Sequence, residues 1–446
     1  MITTTEGVVR GNAGVHFDIP YAAPPIGAAR FAAPTPHDPW PDVRDATRPG
    51  PTAPQPRRDG FGALDMSVYF GPGWVPGADY LTVNVWSPPE GRDCPVMVFV
   101  HGGGFVAGAN RAPLYDGTSF ARDGVVLVTV NYRLGIAGFL DIPGAPRNRG
   151  LLDVLAALRW VRRNIAAFGG DPGKVTLFGQ SAGATIVGAL LATPQAAGLF
   201  QRAIMQSGNG MGAFSPEQAA RVTRAAAEAL GIGPTVEEFA RIPDRELVAV
   251  LPALSGLDLR TGGRFDPLLG LSAFSLVLDR QPAEAVADVP LLLGTNAEEG
   301  HLYLAPQGDL VSSTMRDVHD TAARAHADPA AVVARYRARL PAATPGELRS
   351  AIMGDALFGD GTRRMAAVQG IRYTYEFGWR SSAVDGQLGA AHAVELPFVF
   401  DSLGFPELLG PGEPPAALAT EVHRAWVRFA RTGYPGWPTG ETRRFG

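Results

Sequence analysis

The middle of the chain, residues 95–210, alternates between short apolar runs and longer segments whose apolar residues recur every three or four positions. Uninterrupted apolar runs of this length predict strands buried on both faces. They are found at PVMVFV (95–100), GVVLVTV (124–130), KVTLF (174–178) and QRAIMQSG (201–208). Helical spacing is found at residues 151–168 and at ATIVGALLA, which follows Ser181. Strands that alternate with helices predict an α/β fold, with a mostly parallel central sheet and helices on both faces.

The regions outside this segment have other patterns. The first 90 residues are rich in proline and turn residues, and short pieces such as YLTVNVW (80–86) predict antiparallel strands at an edge of the sheet. Residues 213–285 and 301–385 contain helical pieces rich in Ala and Arg, which predict excursions that cover the sheet and its site. Because no repeat or linker separates these parts, a single α/β domain over residues 1–446 is predicted.

The segment VTLFGQSAGAT places Ser181 where a predicted strand meets a predicted helix. Residues 179–183 match the pattern G-x-S-x-G in the context that this motif requires. A turn this sharp forces the serine into a strained backbone conformation and leaves room only for glycine at positions 179 and 183. It also raises the hydroxyl above the sheet edge, beside a helix N-terminus that favours negative charge. Ser181 is therefore a candidate nucleophile.

A glycine-rich loop, HGGGF at 101–105, follows the predicted strand 95–100. Consecutive glycines leave backbone N–H groups able to point into a site, as acyl-transfer chemistry requires of the donors that bind an oxyanion. We expect Gly103, Gly104 and Ala182 to be those donors. The alternative is a phosphate-binding loop, but the pattern G-x-G-x-x-G fails because position 107 is alanine. We expect His101 to orient the loop.

A serine nucleophile needs a base and an acid that orients the base, and in this architecture they follow the serine in the order acid, then histidine. LLLGTNAEEGH places two candidate acids, Glu298 and Glu299, just past an apolar strand, and the residues alone do not choose between them. Five histidines follow the serine: His301, His319, His326, His392 and His423.

His392 is the favoured base, because GAAHAVELPFVF places it in a small-residue loop before an apolar run. His301 is too near the two glutamates in sequence to be oriented easily by them. His319 and His326 belong to a polar helical piece and are expected to be solvated, and EVHRAWVRFA predicts that His423 lies on the surface of a helix.

Composition narrows the classes of function. The net charge is −4, from 39 basic and 43 acidic residues. A charge this close to balance lacks the basic excess that would indicate binding to nucleic acid or to an anionic membrane. No metal-binding pattern such as H-E-x-x-H or C-x-x-C is present, and neither a metal nor a cofactor is expected. Lys174 is the only lysine. It lacks the glycine and Ser/Thr neighbours of a phosphate-binding loop, and its surface-like position does not suit a lysine that forms a Schiff base.

A cytoplasmic location is expected from three features. Cys94 is the single cysteine, which excludes an intrachain disulfide. The N-terminal segment lacks the basic and apolar parts of a signal peptide. The sequence contains no apolar run of about 18 residues, which is the length that a membrane span requires. The oligomeric state stays open, and a monomer or weak dimer is expected.

Together these motifs resemble the type-B carboxylesterase and cholinesterase-like family of α/β-hydrolases, and within it the bacterial carboxylesterases of the para-nitrobenzyl-esterase type. The likeness covers most of the chain. It rests on these segments, in this order: IPYAAPPIGAARFAAP, YLTVNVWSP, VFVHGGGFVAG, VNYRLGIAGFL, the segment 150–184 with its GQSAGA, AIMQSG, LLLGTNAEEG, GAAHAVELPFVF and WVRFARTGYP.

The resemblance implies an α/β-hydrolase fold and a serine carboxylesterase that works through an acyl-enzyme. It selects Glu299, the glutamate directly before glycine, as the acid beside Ser181 and His392. It also implies that Ser207 supports this acid. Gln180 stands where relatives commonly have a glutamate, so a negative charge that would favour protonated His392 is missing.

Further implications concern residues away from the reacting groups. Arg133 and Asp153 match a structural ion pair of the family. Ala78 stands where relatives have a glutamate paired with an arginine, so Arg30 must find another partner or face water.

Small to medium aryl or alkyl esters are the expected small-molecule substrates. Three phenylalanines are candidates for the lining of an apolar pocket: Phe105, Phe398 and Phe400. Each could equally be an ordinary residue of the hydrophobic core. Two alternatives stay open: an amidase, carbamate or thioester hydrolase with the same three residues, and a non-catalytic member that serves adhesion or ligand binding.

Overall fold

A nine-stranded sheet forms the centre of the computed structural model, which describes residues 1–58, 60–285, 288–368 and 370–446. The described strands are β1 (Ile2–Thr3), β2 (Val8–Arg10), β3 (Val15–Pro20), β4 (Arg44–Asp45), β5 (Gly60–Phe61), β6 (Leu64–Asp65), β7 (Thr82–Trp86), β8 (Cys94–Val100), β9 (Val126–Val130), β10 (Gly170–Gln180), β11 (Arg202–Gln206), β12 (Leu291–Asn296), β13 (Arg372–Phe377) and β14 (Thr442–Phe445). The large sheet has the order β14-β13-β12-β11-β10-β8-β9-β7-β3.

Helices cover this sheet and its carboxyl edge. The described α-helices are α1 (Ser67–Phe70), α2 (Thr118–Arg122), α3 (Gly135–Phe139), α4 (Arg149–Asn164), α5 (Ala182–Leu191), α6 (Pro216–Leu230), α7 (Val236–Arg241), α8 (Asp244–Ala249), α9 (His301–Leu304), α10 (Asp309–Ser312), α11 (Met315–Ala325), α12 (Pro329–Arg339), α13 (Pro345–Gly354), α14 (Asp360–Val368), α15 (Leu396–Val399), α16 (Pro406–Leu409) and α17 (Ala416–Thr432). A π-helical turn, Asp355–Gly359, joins α13 to α14.

Every pairing from β14 across to β9 is parallel, while β7 pairs antiparallel with both β9 and β3. The predicted α/β fold with a mostly parallel sheet is confirmed. The segment 80–86 forms one of the predicted antiparallel strands, but β3 and not β7 is the outermost strand at this edge of the large sheet.

Alternate residues of each central strand enter two separate cores. On β8, Val96, Val98 and Val100 pack on one face with side chains of α4 and α5. Met97 and Phe99 pack on the other face with side chains of α2, α15 and α17. Both faces are buried, and this is why the strands read as uninterrupted apolar runs without a polar alternation.

The two predicted excursions differ in where they end. Residues 213–285 contain helices α6 to α8, as predicted. Residues 301–385 contain α9 to α14, but strand β13 follows and returns to the central sheet. The helical part of this second interval therefore ends earlier than predicted.

The two arginines for which the resemblance raised a question of pairing, Arg133 and Arg30, both form ion pairs. Arg133 and Asp153, both fully buried, form a two-point ion pair with distances of 2.7 Å (Nη2–Oδ1) and 2.9 Å (Nε–Oδ2). Arg30 pairs with Asp244 at 2.9 Å and donates to the carbonyls of Phe239 and Ala240. The acid that Arg30 lacks at position 78 is thus replaced by one from α8.

The parallel strands place their carboxyl ends at one edge of the sheet. The loop 101–105 follows β8, Ser181 follows β10, Ser207 follows β11 and Glu299 comes three residues after β12. Sites of open α/β sheets form at this edge. The topology therefore brings these predicted residues together from distant parts of the sequence.

Candidate active site

Ser181 occupies the turn between β10 and α5 with φ 57° and ψ −124°, a conformation that is strained for any residue with a side chain. A Cβ atom on Gly179 would lie 2.8 Å from the carbonyl oxygen of Val100, and one on Gly183 would overlap that same oxygen. The Ser181 N–H donates to the carbonyl of Gln206 at 2.9 Å, which ties the turn to the neighbouring strand. The close approach of β8 therefore requires both glycines of the motif.

The glycine loop after β8 lines the same cavity as Ser181 through Gly103 and Gly104. Gly103 and Gly104 have φ values of 115° and 63°, which favour glycine, and a Cβ on Gly103 would overlap the Ala107 carbonyl oxygen. Ala182 is the first residue of α5, where the helix itself leaves the N–H without an acceptor. Among the described residues, none accepts a hydrogen bond from the N–H of Gly103 or Gly104. Three backbone donors thus remain available beside Ser181.

His101 is held within the base of this loop. Its Nδ1 lies 2.8 Å from the Gly102 carbonyl oxygen, and its ring stacks on Tyr132 with centroids 4.4 Å apart. Burial lowers the pKa of His101 to about 4, so the imidazole is neutral near pH 7. The contacts are those of a residue that shapes the loop, as expected from the sequence.

His392 and Glu299 form the central polar contact of the site. His392 Nδ1 lies 2.6 Å from Glu299 Oε2, and both side chains are buried, with exposures of 3% and 4%. Because a carboxylate can only accept, Nδ1 is the donor in this contact, and in the neutral imidazole Nε2 then presents a lone pair. Glu298 lies away from this contact: it pairs with Arg380 and accepts from the Ala390 N–H at 2.9 Å.

Glu299 is fixed by two further donors. Its Oε1 accepts from the Ser207 hydroxyl at 2.5 Å and from the Asn296 N–H at 2.7 Å. Each donor restricts the carboxylate to one orientation, in which Oε2 faces His392. Ser207 therefore has the contact that the resemblance implied for it.

A second buried carboxyl, Glu395, lies behind this contact. Its oxygens accept from Asn296 Nδ2 at 2.7 Å and from Gln206 Nε2 at 3.1 Å. Burial, with the charge of Glu299 as a smaller cause, raises the pKa of Glu395 to about 7. Sequence reasoning passed over Glu395, although its place three residues after His392 marks it as lying near the site.

Gln180 contacts the other nitrogen of the imidazole. Its Oε1 accepts from the Tyr69 hydroxyl at 2.6 Å, which directs its Nε2 toward His392 Nε2 at 3.2 Å. Burial raises the pKa of Tyr69 far above its usual value, so this hydroxyl stays a donor. Among the described residues the Ser181 hydroxyl has no hydrogen-bond partner. The Gln180 amide thus occupies the lone pair that a serine proton would use.

Aromatic rings enclose the imidazole on its open side. Phe358 stacks on His392 with centroids 4.2 Å apart and an angle of 11° between the planes, and Tyr303 lies 6.1 Å away. Phe358 belongs to the π-helical turn between α13 and α14, a distortion that commonly occurs at functional sites. The Glu299 and His392 side chains are accordingly almost without exposure to solvent.

Ser181, His392 and the glycine loop border one cavity with an empty volume of about 790 Å³, counting the part open to solvent. Most of its other lining residues are apolar or aromatic. Phe105 borders this cavity, as predicted. Phe398 and Phe400 do not, which corrects the sequence-based expectation: both are fully buried, Phe398 against Phe377 and Phe400 against Phe99.

Most of the cavity wall escaped the sequence analysis. Tyr303 and Phe358 pack on His392, and Tyr69 donates to Gln180. Arg58 and Ser272 also line the cavity. They come from segments without a motif and separated by up to 300 positions, so no local pattern distinguishes them from core or surface residues.

The remaining histidines lie outside the cavity. The prediction that His423 lies on a surface was wrong: it is 1% exposed, with Nδ1 2.8 Å from the Val399 carbonyl and Nε2 3.2 Å from Asp123. Its helix packs against the sheet, so one face of α17 is core. His301 is also buried, with Nδ1 3.0 Å from the Gln387 carbonyl, whereas His319 is exposed.

The described residues include neither a helix suited to cross a membrane nor a cluster suited to hold a metal ion. None of the helices there is both long and apolar enough to cross a membrane. No group of three or more His, Cys, Asp or Glu side chains within the described ranges is placed to hold a metal ion.

Comparison with known proteins gives consistent matches along the chain. The sequence profile of the carboxylesterase family matches residues 1–443. A para-nitrobenzyl esterase of Bacillus subtilis is 37% identical over 98% of this chain and 92% of its own length. A mouse cholinesterase is 32% identical over 99% of this chain and 80% of its own length. The solved structure of a Geobacillus stearothermophilus carboxylesterase superposes with a TM-score of 0.83 at 35% identity, over 99% of this chain and 93% of that one.

Proposed function

Because the chain belongs to the carboxylesterase family and is a carboxylic ester hydrolase, we propose that Ser181, His392 and Glu299 carry out the hydrolysis. The observation that carries the proposal is the buried contact of 2.6 Å between Glu299 and His392, at the cavity that also holds Ser181. A histidine held in this tautomer takes a proton at Nε2.

In the proposed reaction the Ser181 oxygen bonds to the ester carbonyl carbon while its proton passes to His392 Nε2. The carbonyl oxygen becomes an oxyanion, bound by the N–H groups of Gly103, Gly104 and Ala182. Collapse of this intermediate breaks the bond to the alcohol, which leaves with the proton from Nε2. Water then repeats the sequence on the acyl-enzyme and releases the acid and the free serine.

Before the proposed reaction can start, the contact between Gln180 and His392 Nε2 must be replaced by one between the Ser181 hydroxyl and His392 Nε2. The Gln180 amide faces His392 Nε2, and the serine hydroxyl has to displace it before the proton can move. Hydrogen bonds of this kind are often loose in unliganded enzymes and tighten when the substrate binds. We expect the ester to supply that ordering when it fills the cavity beside Ser181.

The substrates proposed are small to medium aryl or alkyl esters, because the cavity is mostly apolar and of moderate size. The non-catalytic alternative is not favoured, since the matched relatives carry the names of hydrolases. We also propose a cytoplasmic location, supported by the single cysteine, and a monomer or weak dimer. Cell fractionation and sedimentation velocity test these two points.

The test of the activity compares wild type with Ser181→Ala on para-nitrophenyl acetate, butyrate and octanoate. The substitution is expected to lower turnover by at least about 10⁴-fold, because it removes the nucleophile. Ser312→Ala, on the exposed end of α10, is the matched control and should leave turnover unchanged.

A fluorophosphonate probe gives a second readout. If the protein is inert on all three esters but is labelled at Ser181, the substrate class is narrower than proposed and the assignment of Ser181 as the nucleophile stands. Turnover retained by Ser181→Ala would overturn the assignment.

A further inference from the structure

The cavity beside Ser181 contains a charge that the proposed reaction does not use. Among the described residues that line the cavity, Arg58 alone carries a permanent charge. It lies on the loop before β5, far in sequence from Ser181 and His392. A neutral alkyl or aryl ester has no group that needs a guanidinium.

Arg58 is held by aromatic rings and not by an acid. Its guanidinium carbon lies 5.5 Å from the ring centre of Phe70 and 5.8 Å from that of Phe61. Within the described ranges no carboxylate is in ion-pair distance and no acceptor takes its N–H groups. Burial lowers the pKa of Arg58 from its usual value, a sign that the charge has lost much of its water. Five donors remain for a ligand.

The position of Arg58 connects it with the ester carbonyl. A Cβ atom placed on Gly104, in the loop proposed to bind the oxyanion, would lie 3.7 Å from Arg58 Nη1. The distance from that loop to the guanidinium is therefore about the length of one small side chain. A group bound by Arg58 would lie a few bonds away from the reacting carbonyl.

Tyr303 adds a neutral donor on the same wall. Its ring packs edge-on against Phe61 at 5.9 Å, and Phe61 also lies under the Arg58 guanidinium. Burial raises the pKa of Tyr303, so the hydroxyl keeps its proton. In the part of the chain that the structure describes, this hydroxyl has no hydrogen-bond partner. A guanidinium and a hydroxyl on one apolar wall are suited to a carboxylate.

We propose that Arg58 is a specificity-determining residue, which selects esters that carry a carboxylate a few atoms from the ester group. This inference rests on the proposed function and names its substrate class. The acid sits in the guanidinium fork, the ester carbonyl lies at Gly103 and Gly104, and the apolar remainder contacts the aromatic wall. Neutral esters use the same serine but leave the arginine without a partner.

The test uses two pairs of substrates that differ mainly in the charged group. The acyl pair is the mono-para-nitrophenyl ester of adipic acid and para-nitrophenyl hexanoate. The alcohol pair is 4-acetoxybenzoate and 4-methylphenyl acetate. Arg58→Gln is expected to lower kcat/KM for the anionic member of one pair roughly 10- to 100-fold, mainly through KM, and to leave its neutral partner within about twofold. The affected pair identifies which side of the ester carries the acid.

Two further variants separate recognition from structure. Arg58→Lys keeps the charge without the planar fork and should recover part of the loss. Arg57→Gln is the matched control, because Arg57 is exposed on the same loop and borders a neighbouring groove instead of this cavity. It should leave the ratio of anionic to neutral rates unchanged.

The outcomes are distinguishable. In one outcome the wild type hydrolyses neutral esters through Ser181 while Arg58→Gln changes the ratio of anionic to neutral rates by less than twofold in both pairs. That result would overturn the role of Arg58 and leave the proposed function intact. Equal losses on neutral and anionic esters would assign Arg58 a structural role and also overturn the proposal. A wild type inert on every ester and unlabelled at Ser181 would overturn the proposed function itself, and the inference with it.

Discussion

The two sides of the cavity are built by different means. The side that carries Ser181 and the glycine loop, together with the buried Glu299, consists of residues that follow adjacent parallel strands, and buried hydrogen bonds fix Ser181 and Glu299. The opposite side takes its residues from the loop before β5, from α9 and from the π-helical turn 355–359. The first side is set by strand order and short motifs, and the second by how distant segments pack. Chemistry and substrate choice thus depend on separate parts of the chain.

The largest expected effect tests the strand-edge side. Glu299→Gln should lower kcat by up to about 10⁴-fold, because an amide no longer holds the His392 tautomer with its proton on Nδ1. Glu298→Gln is the matched control next to it in sequence. It breaks only the contacts to Arg380 and Ala390, and should cost less than tenfold. Similar losses in steady-state kinetics for both variants would contradict the assignment of the acid.

The next effect separates core phenylalanines from cavity phenylalanines. Phe400→Ala removes a fully buried ring packed on Phe99 and should lower the free energy of unfolding by about 3–5 kcal/mol. It should leave the order of preference among para-nitrophenyl esters unchanged. Phe358→Ala, which removes the ring stacked on His392, should alter turnover and acyl-chain preference. Denaturant unfolding and kinetics on the same samples check both, and a change of preference in the Phe400 variant would argue against its core position.

A third prediction concerns the buried carboxyl behind the strand-edge side. The pKa of Glu395 rises from 4.5 to about 7 on folding, so the native state holds this proton more tightly than the unfolded chain. The stability it contributes is fully present below about pH 4.5 and is lost as the pH rises through about 7, on the order of 3 kcal/mol in total.

Glu395→Gln, which does not titrate, should therefore show a flatter stability profile between pH 5 and 8. Denaturant unfolding at several pH values measures the difference between the two proteins. Profiles that stay parallel over this range would show that Glu395 titrates as in the unfolded chain.

The smallest expected effect concerns Gln180, where the two sides meet. Gln180→Glu places a carboxylate 3–4 Å from the imidazole and favours its protonated form, so the acid limb of kcat/KM should move up by roughly one pH unit. Gln195→Glu, at an exposed turn, adds the same charge as a control and should leave the limb in place. An unchanged limb in the Gln180 variant would mean that the added charge is screened or turned away.

The sequence predicted the strand-edge side well because each of its parts is local. The strand 174–178, the serine after it and the glycines around it lie within a few residues, and steric limits on that turn allow few other sequences. It did not choose between Glu298 and Glu299, which differ by one position; the resemblance chose, and the contact to His392 agrees. His423 was misplaced because the pattern of EVHRAWVRFA does not say which helix face the sheet covers.

By itself, the sequence determined the parallel α/β fold, the family, the strained serine turn and the glycine loop. The serine turn and the glycine loop depend on backbone geometry between near neighbours, and the fold and the family depend on the order of short segments along the chain. Only the tertiary structure decided that Phe398 and Phe400 are core, that Phe358 covers His392 and that Arg58 enters the cavity. These facts depend on which distant segments meet. The local sequence pattern around an apolar or basic residue is the same whether that residue ends in the core, at the cavity or on the surface.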